Sequence, residues 1–532
     1  MTCPVLSCDV LVLGAGIAGL EAALTAAEAG RDVMTVTKGP QASAGVLGFC
    51  APVGETDSAE KFAGDTFRGG WELGEKPLIR ALAEGSAETV AQMEALGLTF
   101  DRAPDGKGAY QLLRPLGCSV PRLVRHENST GRASMALLRE ACLKRGVRFI
   151  EGAQALELTV SGGAVSGAVC MRADNDEPFI ARARAVVLAT GGAHLMKNST
   201  YPTDQTADGM AMAYRAGARL TDLEFIQHEP CRAVWPKPLG LSTTLLNKGG
   251  VLKNRLGERF VLRHYPAEGA APKDILARLI ALEIREGRGS EHGGVYLDLT
   301  GIPGDEIKNA HRLYYERFLR EGIDLTRDII EVGPAPHSMM GGVLIDENAW
   351  TKVPGLYAAG EVTGGLHGAN RLGGNAGAET YVFGRAAGRA AAGYASGAAL
   401  RPIDPSDKAE ILKTGPGAEK TDFRAGSTGA RAVAARALGP VRDGAALGEA
   451  VRELDELLKA LESSVPDSLE ALRLKTEACH LTGIALLACR AALERTESRG
   501  VHYRADYPER RDPEWKKHII FTRGTDKETG TW

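Results

Sequence analysis

A glycine-rich turn, Gly14-x-Gly16-x-x-Gly19, directly follows an apolar stretch near the start of the chain. The first glycine permits a tight turn, the second lets a pyrophosphate approach the backbone, and the third lets a helix pack closely on a strand. The apolar stretch predicts a buried parallel strand, and residues 18–29 and 32–37 predict the helix and the second strand of the same unit. This order of elements predicts a Rossmann-like dinucleotide-binding domain.

A second glycine-rich segment lies far along the chain, at residues 356–375, and complements the first. Its apolar strand ends at Gly360-Glu361, where an acidic side chain can bind a ribose hydroxyl. A helix-like run begins at Ala376, and its N-terminus can face a phosphate or a flavin carbonyl. In the loop between them, Arg371 offers a fixed fork of donors that suits a carboxylate. The two segments together predict one FAD site built from both ends of the chain.

The end of the second predicted strand departs from the general pattern of dinucleotide-binding units. Such units carry Asp or Glu there to bind the ribose hydroxyls, whereas this chain has Thr37-Lys38. The positive charge of Lys38 leaves an NADP interpretation open.

Two further places are predicted to contact the cofactor. Thr190 and Gly191 follow another apolar strand, and their small size lets the backbone approach a dinucleotide. Thr206 and Asp208 precede a predicted helix at residues 210–216 and are predicted to cap it. The residues predicted to bind the cofactor are Gly14, Gly16, Ala18, Gly19, Thr37, Lys38, Ser43, Thr190, Gly191, Asp208, Glu361, Asn375 and Ala376.

The motifs at residues 357–362 and 367–375 resemble the flavoprotein subunit of fumarate reductase and succinate dehydrogenase. They are Tyr-Ala-Ala-Gly-Glu-Val and His-Gly-Ala-Asn-Arg-Leu-Gly-Gly-Asn. L-aspartate oxidase and adenylylsulfate reductase belong to the same superfamily. The resemblance implies an α/β fold with a Rossmann-like FAD-binding domain, an α+β capping domain that interrupts it, and a C-terminal helical domain. The implied boundaries are 1–228 and 343–400 for the two parts of the FAD-binding domain, 229–342 for the capping domain, and 401–532 for the helical domain and tail.

The C-terminal part is predicted from its own composition. Residues around 413–417 are rich in Pro and Gly, which is typical of a linker. Apolar residues at helical spacing predict two helices, at 447–462 and 469–496, that form a small bundle. The polar tail, residues 501–532, is predicted to wrap the surface.

The resemblance also bears on how FAD is held. In the respiratory enzymes the segment matching residues 40–51 carries a covalent flavin on the histidine of a Ser-His pair. This chain has Ser43-Ala44 instead, so we expect dissociable, non-covalent FAD. A covalent flavin favours succinate oxidation, so its absence favours a reductive direction or reoxidation by oxygen.

Catalytic residues are carried over by their motifs. His337 fits the family's His-x-x-Met-Gly-Gly and is implied to bind a carboxylate oxygen, while Arg371 fits the arginine that clamps a carboxylate. The family's proton-donating arginine opens an Arg-Asp-apolar-apolar-Ala-Arg motif, and here that position is Lys273. Lysine can donate a proton, but it cannot reproduce a bidentate guanidinium grip.

A second departure concerns the histidine of the family's Phe-His-Pro. This chain has His228-Glu229-Pro230, so Glu229 takes that place unless a shift of one residue brings in His228. The family's threonine–glutamate pair falls near Ser242-Thr243. At ~4 Å and an effective dielectric constant of about 20, a glutamate would repel a fumarate carboxylate by on the order of 4 kcal/mol, or about three decades of affinity. We therefore expect a substrate with one carboxylate and a neutral or cationic far end.

The amino-acid composition limits the kinds of partner that the protein is expected to bind. The net charge of -3 gives no electrostatic argument for nucleic acid. No apolar run reaches the roughly 18 residues of a membrane span and no signal peptide is evident, so we expect a cytoplasmic protein, possible also at the periphery of a membrane complex. The 9 cysteines include no Cys-x-x-Cys, so no metal site or iron–sulfur cluster is expected in this chain. Electrons passing through clusters would need a separate iron–sulfur subunit.

These observations predict an FAD-dependent oxidoreductase that transfers hydride between flavin N5 and a small carboxylate other than plain fumarate or succinate. Three alternatives stay open. They are amino acid oxidation of the L-aspartate oxidase type, flavin chemistry of the adenylylsulfate reductase type, and an electron-transfer flavoprotein subunit of a larger iron–sulfur complex.

Overall fold

The computed structural model describes residues 3–103, 108–200, 205–241, 243–266, 271–403, 411–415, 421–524 and 528–530. The predicted linker around 413–417 lies partly outside these residues, and Ser242 lies outside them. The strands are β1 Val5–Leu13, β2 Val33–Thr37, β3 Phe49–Cys50, β4 Leu123–Val124, β5 Arg148–Glu151, β6 Ala153–Ser161, β7 Ala164–Arg172, β8 Pro178–Leu188, β9 Leu220–Thr221, β10 Ile226–Ala233, β11 Val251–Lys253, β12 Val295–Asp298, β13 Ile330–Met339, β14 Gly342–Leu344, β15 Leu356–Ala358, β16 Thr363–Gly364, β17 His518–Phe521 and β18 Glu528–Gly530. The helices are α1 Ile17–Glu28, α2 Ala59–Gly69, α3 Lys76–Ala95, α4 Thr130–Lys144, α5 Asp208–Arg215, α6 Lys273–Arg285, α7 Gly304–Ala310, α8 Arg312–Leu319, α9 Asn375–Gly397, α10 Phe423–Ala437, α11 Gly444–Ser463, α12 Leu469–Glu494 and α13 Asp512–Trp515.

The largest sheet has the strand order β5-β2-β1-β8-β7-β6, with β15 also paired to β8. Strands β5, β2, β1, β8 and β15 run parallel, whereas β7 is antiparallel to both of its neighbours, β8 and β6. The inner strands are almost wholly apolar and buried, as is typical of parallel strands covered on both faces. The parallel strands end at one edge, where a sheet of this type binds its ligand. The predicted Rossmann-like α/β fold is therefore confirmed.

Helix α9 returns from the distant part of the sequence to pack against α1. Two glycines of α9 make this close approach possible. A Cβ atom on Gly384 would lie 2.6 Å from the carbonyl oxygen of Ala18, and one on Gly388 would lie 2.4 Å from that of Ala22. The contact brings the two glycine-rich segments of the chain to the same edge of the sheet.

A second, antiparallel sheet of order β10-β13-β12-β11 interrupts the first domain. Helices α6 and α8 pack on it around a separate apolar core that includes Leu252, Ile280, Leu297 and Val332. This is the place of the predicted α+β capping domain, whose exact boundaries stay a prediction.

The C-terminal part contains three long helices, α10, α11 and α12, that pack on one another. The sequence prediction of two helices missed α10. Its sequence is rich in Ala, Gly and Arg and carries few large apolar residues, so helical spacing gave little signal. The side chain of Asp422 caps α10 by accepting hydrogen bonds from the backbone N–H groups of Arg424 and Ala425.

The tail was predicted to wrap the surface, and that prediction is wrong. Strand β17 pairs with β9 inside a five-stranded sheet of order β16-β14-β9-β17-β18. His518 on β17 is 1% exposed and contacts the carboxylates of Asp222 at 2.8 Å and Glu75 at 3.1 Å. Arg504 of the tail is also buried, and it forms an ion pair with Asp506 at 2.7 Å. His518 and Arg504 are thus polar residues of the tail that are buried together with charged partners.

Candidate active site

A cavity opens at the edge where the parallel strands end. The glycine turn after β1, the ends of β2 and β8, the segment after β15 and the start of α9 all contribute to its wall. The predicted cofactor residues in this wall are Gly14, Gly16, Ala18, Thr37, Lys38, Ser43, Thr190, Gly191, Asp208, Glu361 and Ala376. Gly19 and Asn375 were also predicted to contact the cofactor, but they are not part of the wall. A Cβ atom on Gly19 would lie 2.0 Å from the carbonyl oxygen of Gly14, and the Asn375 amide donates to Thr66 Oγ1 at 3.0 Å.

The backbone of the wall leaves no room for side chains at its glycines. A Cβ atom on Gly14 would lie 2.1 Å from the carbonyl oxygen of Ala189, and one on Gly191 would lie 2.6 Å from the Gln205 amide nitrogen. Ser43 supports the turn through its Oγ, which accepts a hydrogen bond from the Ile17 N–H at 3.1 Å. These contacts form a narrow cradle of the kind that a dinucleotide requires.

Several polar side chains in the cavity wall are buried and have no hydrogen-bond partner among the described residues. They are the Thr190 hydroxyl, both amide atoms of Gln154, and Gln205 Oε1. Buried polar atoms are almost always paired, so these atoms fit a polar ligand such as FAD. The mode of attachment stays a prediction.

Asp208 does not cap α5 as predicted. The residue at the N-cap position is Ala207, which has φ 63°, and no side chain caps this helix. The Asp208 carboxylate instead contacts Lys38 Nζ at 3.1 Å and His480 Nδ1 at 2.7 Å. Burial opposes its ionisation, but the charges of Lys38 and His480 outweigh burial and hold the pKa of Asp208 well below its usual range.

The ammonium group of Lys38 is bound by other side chains of the protein. Its ammonium donates to Thr206 Oγ1 at 2.8 Å and pairs with Asp208 and with Glu477 of α12, the latter at 2.8 Å. Burial lowers the pKa of Lys38, but the two carboxylates more than offset burial and raise it. An ammonium held by two carboxylates is a poor partner for a 2′-phosphate, which weakens the NADP interpretation.

Glu361 joins the cofactor cavity to the capping sheet. Its Oε1 accepts a hydrogen bond from the backbone N–H of Met339 at 3.2 Å, at the end of β13. Burial raises the pKa of Glu361 above its ordinary value. The preceding residues of β13, Ser338 and His337, are thereby held at the border between cavity and cap.

Arg371 also lines the cavity and is 7% exposed. One of its terminal nitrogens donates to Gln227 Oε1 at 2.8 Å, and the Gln227 amide nitrogen donates to the backbone oxygen of Arg371 at 2.9 Å. Arg371 Nε is buried without a partner among the described residues. The role of Gln227 was missed, although the signal lay in the stretch Asp222–Gln227, which resembles a family motif.

His337 lies on β13 beside Arg371. Its Nδ1 and the hydroxyl of Thr200 are 2.7 Å apart. Burial lowers the pKa of His337 well below its usual range, and the charges of Arg371 and Lys273 lower it further. The ring is therefore neutral at pH 7. Thr200 lies in a loop far from His337 in sequence, and no local pattern pointed to it.

Glu229 and Lys273 form an ion pair with 2.5 Å between Glu229 Oε2 and Lys273 Nζ. Both side chains are largely buried, at 11% and 16% exposed. The second carboxylate oxygen, Glu229 Oε1, is buried without a partner among the described residues. The expected repulsion between Glu229 and a fumarate carboxylate did not include Lys273, whose positive charge pairs with Glu229.

His228 occupies a different environment from Glu229. It lines a separate small cavity together with Asp274, Arg278 and Val501. Burial, and then the charge of Arg442, lowers the pKa of His228 to about 3. The structure thus places Glu229, not His228, against Lys273.

Two negative observations apply to the described residues alone. No helix among them is long and apolar enough to cross a bilayer. No group of His, Cys, Asp and Glu side chains in the same part of the chain could hold a metal ion, and all nine cysteines are unbridged.

Comparisons with known proteins agree with the fold and the cavity. Residues 9–376 match the family described as FAD binding domain, and residues 431–531 match the family described as fumarate reductase flavoprotein C-term. One subunit of the fumarate reductase (CoM/CoB) of Methanothermobacter marburgensis is 36% identical, over 97% of each chain. The L-aspartate oxidase of Yersinia pestis is 32% identical, over 94% of this chain and 96% of its own length.

A solved structure of the quinol fumarate reductase of E. coli superposes with a TM-score of 0.90 at 26% identity, over 99% of this chain and 97% of that one. The wall of glycines and unpaired polar groups lies within the part of the chain that matches the FAD binding domain. The chain belongs to the family of FAD-dependent oxidoreductases that contains the flavoprotein subunits of fumarate reductase and succinate dehydrogenase.

Proposed function

We propose that the protein exchanges a hydride between bound FAD and a small carboxylate substrate that carries a single negative charge. FAD, when bound, supplies the two-electron chemistry at its N5 atom. Arg371 is the observation on which this proposal mainly rests. It lines the FAD cavity, Gln227 fixes its orientation, and its buried Nε has no partner among the described residues. Such a group suits a carboxylate held beside the flavin.

The charges around Arg371 support a monoanionic substrate. Arg371 and Lys273 are cations and Glu229 is an anion, while the depressed pKa values of His337 and His228 keep both rings neutral at pH 7. The charges of Arg371, Lys273, Glu229, His337 and His228 therefore sum to one net positive charge. Lys273 is already paired with Glu229, so it is less available to a second substrate carboxylate.

Lys273 is the proposed proton donor. It is the first residue of α6, and its ammonium donates a hydrogen bond to Glu229 Oε2 at 2.5 Å. One N–H proton of the ammonium would pass to the substrate carbon, and the neutral amine that remains can still donate a hydrogen bond to Glu229. His337, neutral and held by Thr200, is placed to hydrogen-bond a substrate oxygen.

The test is anaerobic reoxidation of reduced, FAD-loaded protein by small α,β-unsaturated monocarboxylates, followed through the flavin absorbance. We expect at least one such acid to reoxidise the flavin. Arg371→Lys is expected to lower the second-order rate by about two decades, because a point charge replaces a bidentate fork. The matched control is Arg327→Lys, whose side chain is 74% exposed on the capping domain. The proposal fails if no unsaturated acid reacts or if the two variants behave alike.

Amino acid oxidation is the second candidate, favoured by the likeness to an L-aspartate oxidase. The unpaired Glu229 oxygen could face an ammonium group. In that case L-aspartate would bleach the oxidised flavin under anaerobic conditions, and unsaturated acids would not reoxidise it.

We also infer that electrons reach the flavin from a separate iron–sulfur protein. The Methanothermobacter relative is, by its name, one subunit of a fumarate reductase, which supports a role within a larger assembly. Reduction of the flavin by a co-purifying cysteine-rich protein would test this inference.

A further inference from the structure

Two buried polar atoms of the proposed substrate site have no partner among the described residues, and they differ in kind. Arg371 Nε is a cationic donor, and Glu229 Oε1 is an anionic acceptor. Glu229 as a residue is 8% exposed, so water does not readily satisfy the free oxygen. A buried acceptor left unsatisfied costs stability, so it marks a position where a ligand can contribute a hydrogen bond.

We propose that the site selects substrates whose end remote from the carboxylate carries a neutral hydrogen-bond donor, such as a primary amide or a hydroxyl, which donates to Glu229 Oε1. This inference rests on the proposed function and specifies its substrate class.

Lys273 fixes which oxygen of Glu229 is free. The ammonium binds Oε2 at 2.5 Å, while Oε1 has no described donor. A substrate amide or hydroxyl would satisfy Oε1 without breaking the ion pair. An ionised carboxylate has no proton to donate and would meet Oε1 with like charge, whereas an ester is neutral but also lacks a donor.

The net charge of the site favours a neutral donor over an ammonium. The carboxylate end of the substrate, bound at Arg371, consumes the single net positive charge of the side chains around Arg371. A neutral far end then leaves the site neutral. An ammonium would restore a net positive charge within a buried site, which burial disfavours.

Three probes of the same carbon skeleton test the inference. Fumarate carries a second carboxylate, its monoamide carries a neutral donor, and its monomethyl ester carries neither charge nor donor at that end. We expect the monoamide to reoxidise the reduced FAD-loaded protein at least tenfold faster than the ester, with fumarate slower than the monoamide by at least the same factor. The saturated analogues should follow the same order in binding to the oxidised protein, measured by the shift of the flavin absorption band.

The variant Glu229→Gln tests the residue itself. Lys273 needs an acceptor, so the glutamine carbonyl is expected to turn towards it and the NH₂ group towards the substrate. Such a site offers a donor and carries an extra net positive charge, so it should now prefer fumarate over the monoamide. The matched control, Glu286→Gln, removes an exposed carboxylate just beyond the last residue of α6 and is expected to keep the original order.

The outcomes separate this inference from the function beneath it. If none of the three acids reoxidises the flavin, the proposed function fails. If they react but the ester or fumarate matches the monoamide, the inference is overturned while the function stands. An unchanged order in Glu229→Gln would overturn it as well, and the series on the unmodified protein decides the matter should that variant fail to fold.

Discussion

The ion pair of Glu229 and Lys273 couples two departures from the motifs of the family. One replaces a histidine and the other an arginine, and each taken alone would disturb a dicarboxylate site. The pair of Glu229 and Lys273 carries no net charge, whereas a histidine and an arginine in these places would carry one positive charge. Two positions separated by 44 residues thus form one ion pair, and the two departures together remove one positive charge from the site. Arg371, which lines the cavity, is then the proposed anchor for the substrate carboxylate.

Removal of one member of this ion pair should destabilise the folded protein more than removal of both members. Lys273→Met leaves the Glu229 carboxylate buried and unpaired, so we expect the free energy of unfolding in urea to fall by about 3 kcal/mol. Lys273→Met combined with Glu229→Gln should recover most of this loss, since no uncompensated charge remains. The control is Lys352→Met, which removes an ion pair to Asp346 from a lysine that is 52% exposed and should cost less than about 1 kcal/mol. Equal losses in the single and double variants would contradict the coupling.

The residues that the sequence predicted well are those with a strict backbone requirement. Gly14 and Gly191 stand where a Cβ atom would collide with neighbouring atoms, so the glycine itself is the signal. Asp208, Glu229 and Thr200 find their partners across long stretches of chain, and a local pattern contains no information about such partners. For this reason the cavity could be predicted. The ion pair of Glu229 with Lys273 was not predicted, and the helix cap at Asp208 was predicted wrongly.

The same difference between local and long-range signals applies to whole helices and strands. Strands and helices with clear apolar spacing were predicted to within a few residues, among them α1 and β2. Helix α10 was missed because its stability comes from packing against α11 and α12 rather than from its own sequence pattern. Close helix packing at glycines, by contrast, can be tested one position at a time.

Two glycines of α9 should respond in opposite ways to replacement by alanine. Gly384→Ala would place a Cβ atom 2.6 Å from the Ala18 carbonyl oxygen, so α1 and α9 must separate and we expect a loss of about 1–3 kcal/mol. Gly393→Ala meets nothing within 4 Å and should stabilise the helix by about 0.5–1 kcal/mol. Thermal unfolding of the two FAD-free variants provides the comparison. Similar shifts in both would show that α1 and α9 do not need a glycine at their contact.

The C-terminal part of the chain contacts the FAD-binding domain and holds some of its side chains in place. His480 and Glu477 of α12 hold the Asp208 and Lys38 side chains that form part of the FAD cavity wall. Strand β17 of the tail joins the sheet of β9, next to the start of the capping domain. The helical domain and the tail therefore support the candidate site. These contacts were not predicted, because each domain was assigned from its own stretch of sequence.

The attachment of the tail should weaken as the pH rises. Burial lowers the pKa of His518, but the charges of Asp222 and Glu75 more than offset burial and raise it from 6.5 to about 9. Between these pH values the folded protein binds a proton that the unfolded chain has released, so stability is fully present below about pH 6.5 and is lost as the pH rises through about 9. The shift corresponds to on the order of 3 kcal/mol. We expect His518→Gln to be less stable than the unmodified protein at pH 6, and the difference to shrink by most of this amount at pH 9.5. The exposed histidine His264, changed to Gln, provides the control, and a difference that does not depend on pH would show that the His518 charge does not hold the tail.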